Sequence, residues 1–286
     1  MKEIVIISGK GGTGKTVLTA GFATLAKRKV MADCDVDAAD LHLILTPQIR
    51  KKEDFYGGRV PVMDESKCDE CGACQEVCRF DAIHSFQIDL IACDGCGVCA
   101  AACPNDAIQM EENLCGEWFI SDTRYGPMTH ARLGIAEENS GKLVTAVRQQ
   151  AKSIAQERDL DFIIVDGPPG IGCPVIASIT GVDLVLVVTE PTISGIHDLE
   201  RVLGVARHFG IPGVVCINKY DINLENSGRI REYCEELGVE VVGEIPYDPR
   251  VTKAMVNAKS VIEYPCGAVT TEVEKMWEGV KHTLEG

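Results

Sequence analysis

Residues 4–16 read Ile-Val-Ile-Ile-Ser-Gly-Lys-Gly-Gly-Thr-Gly-Lys-Thr, a short apolar run followed at once by a glycine-rich loop. The residues after this loop predict a helix to about Lys29. A strand, a glycine-rich loop and a helix in this order form a P-loop, in which backbone N–H groups surround the phosphates of a nucleotide. Lys15 would neutralise the β- and γ-phosphate oxygens, and the Thr16 hydroxyl would bind Mg²⁺. The stretch therefore predicts a nucleotide-binding α/β domain, with contacts from Gly11, Gly12, Thr13, Gly14, Lys15 and Thr16.

The loop also carries a second lysine, Lys10. A solvated loop lysine is the simplest interpretation. The alternative is a second cation beside phosphates that Lys15 already serves.

Further apolar runs lie at 30–33, 162–165, 184–188 and 214–217, each ending at a polar residue. Near-continuous apolar runs are typical of strands buried on both faces of a parallel sheet. Helical patterns separate the later runs. The chain is therefore predicted to form a doubly wound, mostly parallel sheet, with helices at about 142–158, 195–208 and 227–237.

Acidic residues follow two of these runs. Asp166 opens the sequence Asp-Gly-Pro-Pro-Gly at 166–170, which suits a carboxylate facing Mg²⁺ through water and a loop that senses the γ-phosphate. Asp35 is the preferred residue to orient the attacking water. Capping of a helix is the alternative for its neighbours Asp33 and Asp40.

The sequence Asn-Lys-Tyr-Asp at 218–221 follows the last of these runs. It resembles the base-recognition motif of GTPases, in which the aspartate, here Asp221, binds guanine. The motif therefore leaves both GTP and ATP as candidate nucleotides.

Between the second strand and the later ones, a cysteine pattern occurs twice, 25 residues apart. Its spacing is that of proteins that hold two [4Fe–4S] clusters, in which each half supplies the fourth ligand of the other cluster. Zinc is the alternative, but zinc sites separate their Cys-x-x-Cys pairs by a longer gap. The predicted ligands are Cys68, Cys71, Cys74 and Cys103 for one cluster, and Cys93, Cys96, Cys99 and Cys78 for the second.

Composition narrows the classes of function. The net charge of −15 argues against nucleic-acid or anionic-membrane binding. Residues 59–112 carry three basic and eleven acidic side chains, a net −8, which favours a basic partner. The chain enters its first strand directly, has no apolar run long enough for a membrane span, and carries six further scattered cysteines, so we expect a reducing, cytoplasmic location.

Together these motifs resemble the deviant-Walker-A ATPases of the MinD/ParA/Mrp/nitrogenase-iron-protein group, and specifically members with an inserted ferredoxin domain. The cysteine module interrupts the α/β pattern, so the placement of the motifs predicts an ATPase domain at 1–58 and 113–286 and an inserted ferredoxin domain of small α+β type at 59–112, which agrees with the resemblance. The resemblance favours ATP over GTP and a nucleotide-sandwich homodimer, or a heterodimer with a related ATPase. The roles it implies are a lysine reaching the facing subunit (Lys10), switch carboxylates (Asp35, Asp166), an adenine contact (Asn218), and nucleotide contacts at Gly170 and Pro246.

Three functions follow from the resemblance. The first is ATP-coupled electron transfer through the two clusters to a partner protein. The second is assembly or delivery of an iron–sulfur or mixed-metal cluster, although the Cys-x-x-Cys pair of Mrp-type carriers is missing from the C-terminal half. The third is spatial positioning, as in MinD, but the apolar spacing of 269–284 accompanies an acidic polar face, so we expect this tail to pack on its own domain.

Two single residues are harder to interpret. Cys173 lies at about the position of a bridging cysteine in the nitrogenase iron protein, and a buried cysteine packing beside Pro174 is the preferred alternative. His130 ends the polar stretch 123–130 and is expected to face a partner from a loop.

Overall fold

The computed structural model describes residues 1–134 and 140–285, which fall into two compact units. The first unit comprises Met1–Glu53, Trp118–Arg132 and the chain from Ser140 onward. The second comprises Asp54–Glu117 and the segment that begins at Leu133.

The described residues form one large sheet and one small hairpin. The strands are β1 (Lys2–Ser8), β2 (Lys29–Asp33), β3 (Gln48–Met63), β4 (Ile83–His84), β5 (Gln87–Ile88), β6 (Ile108–Thr123), β7 (Gly126–Leu133), β8 (Phe162–Pro169), β9 (Leu184–Thr189), β10 (Gly213–Asn218) and β11 (Val241–Ile245). The large sheet has the order β11-β10-β9-β1-β8-β2-β7-β6-β3, and β4 pairs antiparallel with β5.

The centre of the large sheet is parallel, as predicted. β1 lies between β8 and β9, β10 between β9 and β11, and β2 between β8 and β7, each in parallel register. β2 and β9 are buried along their whole length. Because all these strands run the same way, the polar residues at their carboxyl ends meet at one edge of the sheet.

Helices connect the strands. They are α1 (Lys15–Leu25), α2 (Leu41–Leu45), α3 (Ala73–Val77), α4 (Val98–Ala102), α5 (Ser140–Glu157), α6 (Cys173–Ile179), α7 (Ile193–His208), α8 (Leu224–Leu237), α9 (Arg250–Val256) and α10 (Ala268–Glu285).

Two predicted boundaries were wrong by about a turn of helix. α1 ends at Leu25 rather than near Lys29, since the chain turns through Arg28 at a φ of 49° and Lys29 already belongs to β2. α8 starts at Leu224, three residues early, because the Asn223 side chain accepts the N–H of Asn226 and caps the helix.

The C-terminal helix α10 packs on the first unit, as predicted. Its apolar face joins the main core, where the Trp277 ring lies 5.1 Å from the ring of Phe22 and 5.4 Å from that of Phe162. Among the described residues, no helix combines the length and apolar character that crossing a bilayer requires.

The second unit repeats its backbone as well as its sequence. α3 follows Gly72 and α4 follows Gly97, at φ values of 81° and 74°. Asp81 and Asp106, the next matched pair, have φ values of 52° and 49°. The hydrophobic cluster of this unit is small, and its buried members are Cys74, Ile83, Cys99 and Ile108.

Candidate nucleotide and metal sites

A cleft of about 370 Å³ opens at the carboxyl edge of the sheet in the first unit. Its size falls within the range of small-molecule sites. The P-loop, the loop after β2 and the segments after β10 and β11 supply the wall. The predicted contact residues on this wall are Gly11, Gly12, Gly14, Lys15, Thr16, Asp35, Asn218 and Pro246.

Four predicted residues lie off this wall. They are Lys10, Thr13, Asp166 and Gly170. Thr13 and Asp166 are almost fully buried, and the Oγ1 atom of Thr13 and the Oδ2 atom of Asp166 have no hydrogen-bond partner among the described residues. Buried polar atoms are normally paired. Two such atoms beside a P-loop fit a site whose remaining partners are phosphate, Mg²⁺ or water.

Asp166 lies within β8 rather than after it, since the strand continues to Pro169. Its Oδ1 atom accepts a hydrogen bond from Thr19 Oγ1 at 3.1 Å. Burial raises the pKa of Asp166 to about 6, and the charge of Lys15 opposes this rise. A cation favours the ionised carboxylate, so Mg²⁺ would lower this pKa again.

Asp35 and Asp33 have different environments. Asp35 lies on the cleft wall, where burial raises its pKa to about 6 against the opposing charge of Lys15. Asp33 is fully buried and accepts the backbone N–H groups of Asp35 and Leu41 at 3.2 and 3.3 Å. The capping alternative therefore holds for Asp33, at the start of α2. It is wrong for Asp40, whose side chain makes no capping bond there.

Asn218 connects β10 to the P-loop, because its Nδ2 atom donates to the Thr13 carbonyl at 2.7 Å. Asp221, the residue that would contact guanine if the nucleotide were GTP, is not on the cleft wall. Its Oδ1 atom accepts the N–H of Tyr247 at 2.7 Å. This carboxylate therefore fixes the segment after β11, next to Pro246.

Glu190 is a site residue that the sequence analysis missed. Its Oε1 atom lies 2.6 Å from Lys219 Nζ and its Oε2 atom lies 3.6 Å from Lys10 Nζ. Lys10 Nζ also donates to Thr192 Oγ1 at 3.3 Å. The only sequence signal was its place directly after an apolar strand, since nothing in the local pattern pairs it with a lysine 180 residues earlier.

The eight cysteines of the second unit surround two separate spaces. Site 1 is lined by Cys68, Cys71, Cys74 and Cys103. Site 2 is lined by Cys78, Cys93, Cys96 and Cys99. The structure thus brings together the same two sets that the spacing predicts.

Both sites show features that fit iron–sulfur ligation. The fourth cysteine of each site, Cys78 or Cys103, accepts a backbone N–H from the residue four positions later, at 3.4 and 3.3 Å. Such N–H donors stabilise ligating sulfur. No three or more His, Cys, Asp or Glu side chains in the described part of the chain are close enough to hold a single metal ion. A four-iron cluster instead distributes its cysteines over four corners.

The prediction for His130 was wrong. His130 lies within β7, buried, with its Nε2 atom 2.9 Å from Ser121 Oγ and its ring stacked on Phe119. Burial lowers the pKa of His130 to about 4, so the ring is neutral at pH 7. The sequence at 123–130 predicts a loop, but only Arg124 and Tyr125 form the turn between β6 and β7, and the residues from Gly126 onward belong to β7.

The preferred interpretation of Cys173 was also wrong. This cysteine is exposed as the first residue of α6, whereas the other five cysteines outside the two sites are buried.

Comparisons with known proteins agree with the fold. Residues 4–261 match the family described as the CobQ/CobB/MinD/ParA nucleotide-binding domain. An uncharacterised protein of Methanocaldococcus jannaschii is 34% identical over 289 residues, covering 99% of this chain and 97% of that protein. The iron–sulfur cluster carrier protein of the same organism is 23% identical, covering 99% of this chain and 85% of that protein.

A solved structure, the septum site-determining protein MinD of Pyrococcus horikoshii complexed with Mg-ADP, is similar with a TM-score of 0.60. It is 20% identical, with 98% of this chain and 95% of that chain covered. At this identity the likeness shows a shared fold. The match over 258 residues and the P-loop cleft together identify this chain as a member of the CobQ/CobB/MinD/ParA family of nucleotide-binding P-loop proteins.

Proposed function

We propose that this protein is an ATPase that couples a nucleotide-driven change in its dimer to electron transfer through two [4Fe–4S] clusters to a partner protein. The observation that carries the proposal is the presence, in one chain, of a P-loop cleft and of two spaces that are each lined by four cysteines. A chain with only the cleft would support a nucleotide switch without a redox role.

The cleft supports ATP hydrolysis through four side chains. Lys15 would bind the β- and γ-phosphates and Thr16 would bind Mg²⁺, since both residues line the cleft. Asp166, buried beside Thr19, would face the metal through water. Asp35, on the cleft wall with a pKa near 6, would orient the attacking water.

Lys10 supports the dimer in this proposal. It is not on the cleft wall, and its ammonium contacts Glu190 and Thr192 of its own chain. In a nucleotide sandwich, Lys10 would leave Glu190 and reach the phosphates bound by the facing subunit, which would be a second copy or a related ATPase. Asn218 and Pro246 would then contact the adenine.

Residues 59–112 would form an inserted ferredoxin domain. Site 1 and site 2 would each hold one cluster, which accepts and releases one electron at low potential. The side chains of this segment carry a net charge of −8, which suits a partner with a basic surface. ATP-dependent ordering of the loop at Asp35 and of the loop after β8, the strand that carries Asp166, would control when that partner is engaged.

Delivery of a cluster is the second candidate, because a relative that spans almost the whole chain is an iron–sulfur cluster carrier protein. In the C-terminal half, Cys216, Cys234 and Cys266 are each buried, which leaves Cys173 as the single exposed cysteine there instead of a Cys-x-x-Cys pair. A MinD-like positioning role is less supported, because α10 packs into the core.

Electron transfer and cluster delivery differ in what leaves the protein. Anaerobically reconstituted protein should contain about eight iron atoms and eight inorganic sulfides per chain. It would be labelled with ⁵⁷Fe and mixed with ATP, a reductant and a candidate acceptor protein. We expect the acceptor to be reduced in an ATP-dependent way while the ⁵⁷Fe stays with the protein.

The Lys15→Ala variant is the control, since it should keep its iron and lose the ATP dependence. Stoichiometric movement of ⁵⁷Fe to the acceptor would establish the carrier function instead. Tightly bound zinc without sulfide would rule out both functions.

A further inference from the structure

The duplication in the second unit permits a residue-by-residue comparison of site 1 with site 2, because each position in one half has a partner 25 residues away. The ligands themselves are matched in exposure. In each site one cysteine is buried, one is exposed and two are half-buried. Exposure of the ligands to solvent therefore does not distinguish the sites.

Asp69 does distinguish them. It lines site 1, whereas its partner in the repeat, Asp94, does not line site 2. The Asp69 carboxylate is also held in place, since its Oδ1 atom accepts the N–H of Cys71 at 3.2 Å. An iron–sulfur cluster becomes more negative on reduction, so a fixed carboxylate at its edge opposes reduction.

Gly95 distinguishes the sites in the same direction. Its N–H points to Cys93 Sγ of site 2 at 3.5 Å, whereas the N–H groups that Cys78 and Cys103 accept are matched between the two sites. In the repeat, Glu70 takes the place of Gly95, and among the described residues no such bond joins Glu70 to Cys68. Hydrogen bonds to ligating sulfur stabilise the reduced cluster and raise its potential.

From these differences we infer that the two clusters have unequal reduction potentials, with site 2 accepting an electron before site 1. Asp69 contributes to this difference as a positioning residue, because its negative charge lowers the reduction potential of site 1 although it does not ligate iron. The inference rests on the proposed function, because it requires a [4Fe–4S] cluster at each site. Uptake is one electron per site. The first electron from a reductant such as dithionite resides at site 2 and the second at site 1.

The test is an anaerobic redox titration of the full chain, followed by electron paramagnetic resonance. Wild type should show two one-electron waves. Asp69→Asn should shift the lower wave to a more positive potential and leave the upper wave unchanged, so that the gap between the waves narrows. Asparagine keeps an oxygen that can accept the Cys71 N–H, so only the charge is removed.

Two variants serve as matched controls. Asp94→Asn removes the same charge at the equivalent position of the repeat and should leave the lower wave in place. Asp69→Glu keeps the charge and should also leave it in place. Iron and sulfide are measured on each variant, so that a shifted wave is read only from protein that holds both clusters.

The inference is wrong if wild type titrates as two sites of equal potential. It is also wrong if Asp69→Asn moves the upper wave or neither wave, or if Asp94→Asn moves the lower wave as far as Asp69→Asn does. These results leave the clusters, and hence the proposed function, intact. Protein that binds no iron and sulfide would overturn the proposed function and this inference together.

Discussion

Lys10 and Lys15 lie five residues apart on one loop and make different contacts. Lys15 is buried at the start of α1, on the wall of the cleft, where the helix N-terminus and its ammonium both attract anions. Lys10 is half-buried and points to Glu190, on the loop after β9. Lys15 is therefore placed to bind a ligand in the cleft of its own chain. Lys10 is held by an ion pair with Glu190, which it would have to break to reach the phosphates of a facing subunit.

Substitution separates these two roles. Lys15→Ala should lower the turnover of ATP by about 10²-fold or more, because it removes the main charge on the phosphates. Lys10→Ala should leave nucleotide binding by the monomer near the wild-type level and abolish the ATP-dependent dimer. Nucleotide binding would be measured by calorimetry and dimer formation by analytical ultracentrifugation.

Lys27→Ala, at an exposed position outside the cleft, is the matched control and should behave as wild type. If Lys10→Ala dimerises and hydrolyses ATP normally, the nucleotide-sandwich proposal is wrong for this protein.

The residues of the cleft could be predicted where they lie close together in the sequence and form a recognisable motif. The P-loop is one continuous stretch, so its contact residues follow from the motif. Glu190 and His130 show that a local sequence pattern contains no information about partners from distant segments. The partners of Glu190 come from distant segments, and His130 is buried because β6 and β7 bring Ser121 and Phe119 to its ring.

At the scale of the element, α10 ties the C-terminal end of the chain to the core. Trp277 contacts rings from α1 and β8, so one side chain joins the helix after the P-loop to the central sheet. Its burial, at 3% exposed, makes it part of the main core. The position of α1, which begins at Lys15, therefore depends partly on this helix.

Trp277→Ala should lower the free energy of unfolding by about 3–5 kcal/mol, the usual cost of removing a large aromatic ring from a core. The measurement is urea unfolding of the full chain. Lys275→Ala, an exposed position of the same helix whose ion pair with Glu272 lies at the surface, should change the free energy of unfolding by less than about 1 kcal/mol. Equal, small effects would show that α10 does not dock as described.

Elements buried on both faces could be predicted well. The strands β8, β9 and β10 have near-continuous apolar sequences, and each was found within a few residues. The long strands β3 and β6 were missed. Most of β3 is exposed, and in β6 polar residues interrupt the buried ones, so no long apolar run marks either strand and their hydrogen-bonded neighbours define them instead.

At the scale of the whole molecule, the two units differ in the interactions that can stabilise each of them. The first unit has an extensive core built from the sheet and its helices, whereas the hydrophobic cluster of the second has only four buried residues, two of which are cysteines. Small domains with few buried apolar side chains commonly depend on metals for stability. If sites 1 and 2 hold the proposed clusters, we expect the stability of the second unit to depend on them.

Removal of iron by a chelator under anaerobic conditions should therefore unfold the second unit alone. Limited proteolysis should then cut within 54–117, while the first unit keeps its circular dichroism and its affinity for nucleotide. Restoring iron and sulfide should restore protection from the protease. A single transition in which nucleotide affinity is lost together with iron would show that the two units are not independently stable.

Five cysteines are buried and eight others line sites 1 and 2, so Cys173 is the one remaining cysteine whose thiol is accessible to reagents. If both sites hold clusters, a maleimide dye or a nitroxide added to the anaerobic protein would attach to this one thiol, at the start of α6 and in the strand–helix segment that follows Asp166. No cysteine would have to be removed first. A chain with fourteen cysteines would thus carry its own attachment point for a spectroscopic probe that follows the loop after Asp166 through the nucleotide cycle.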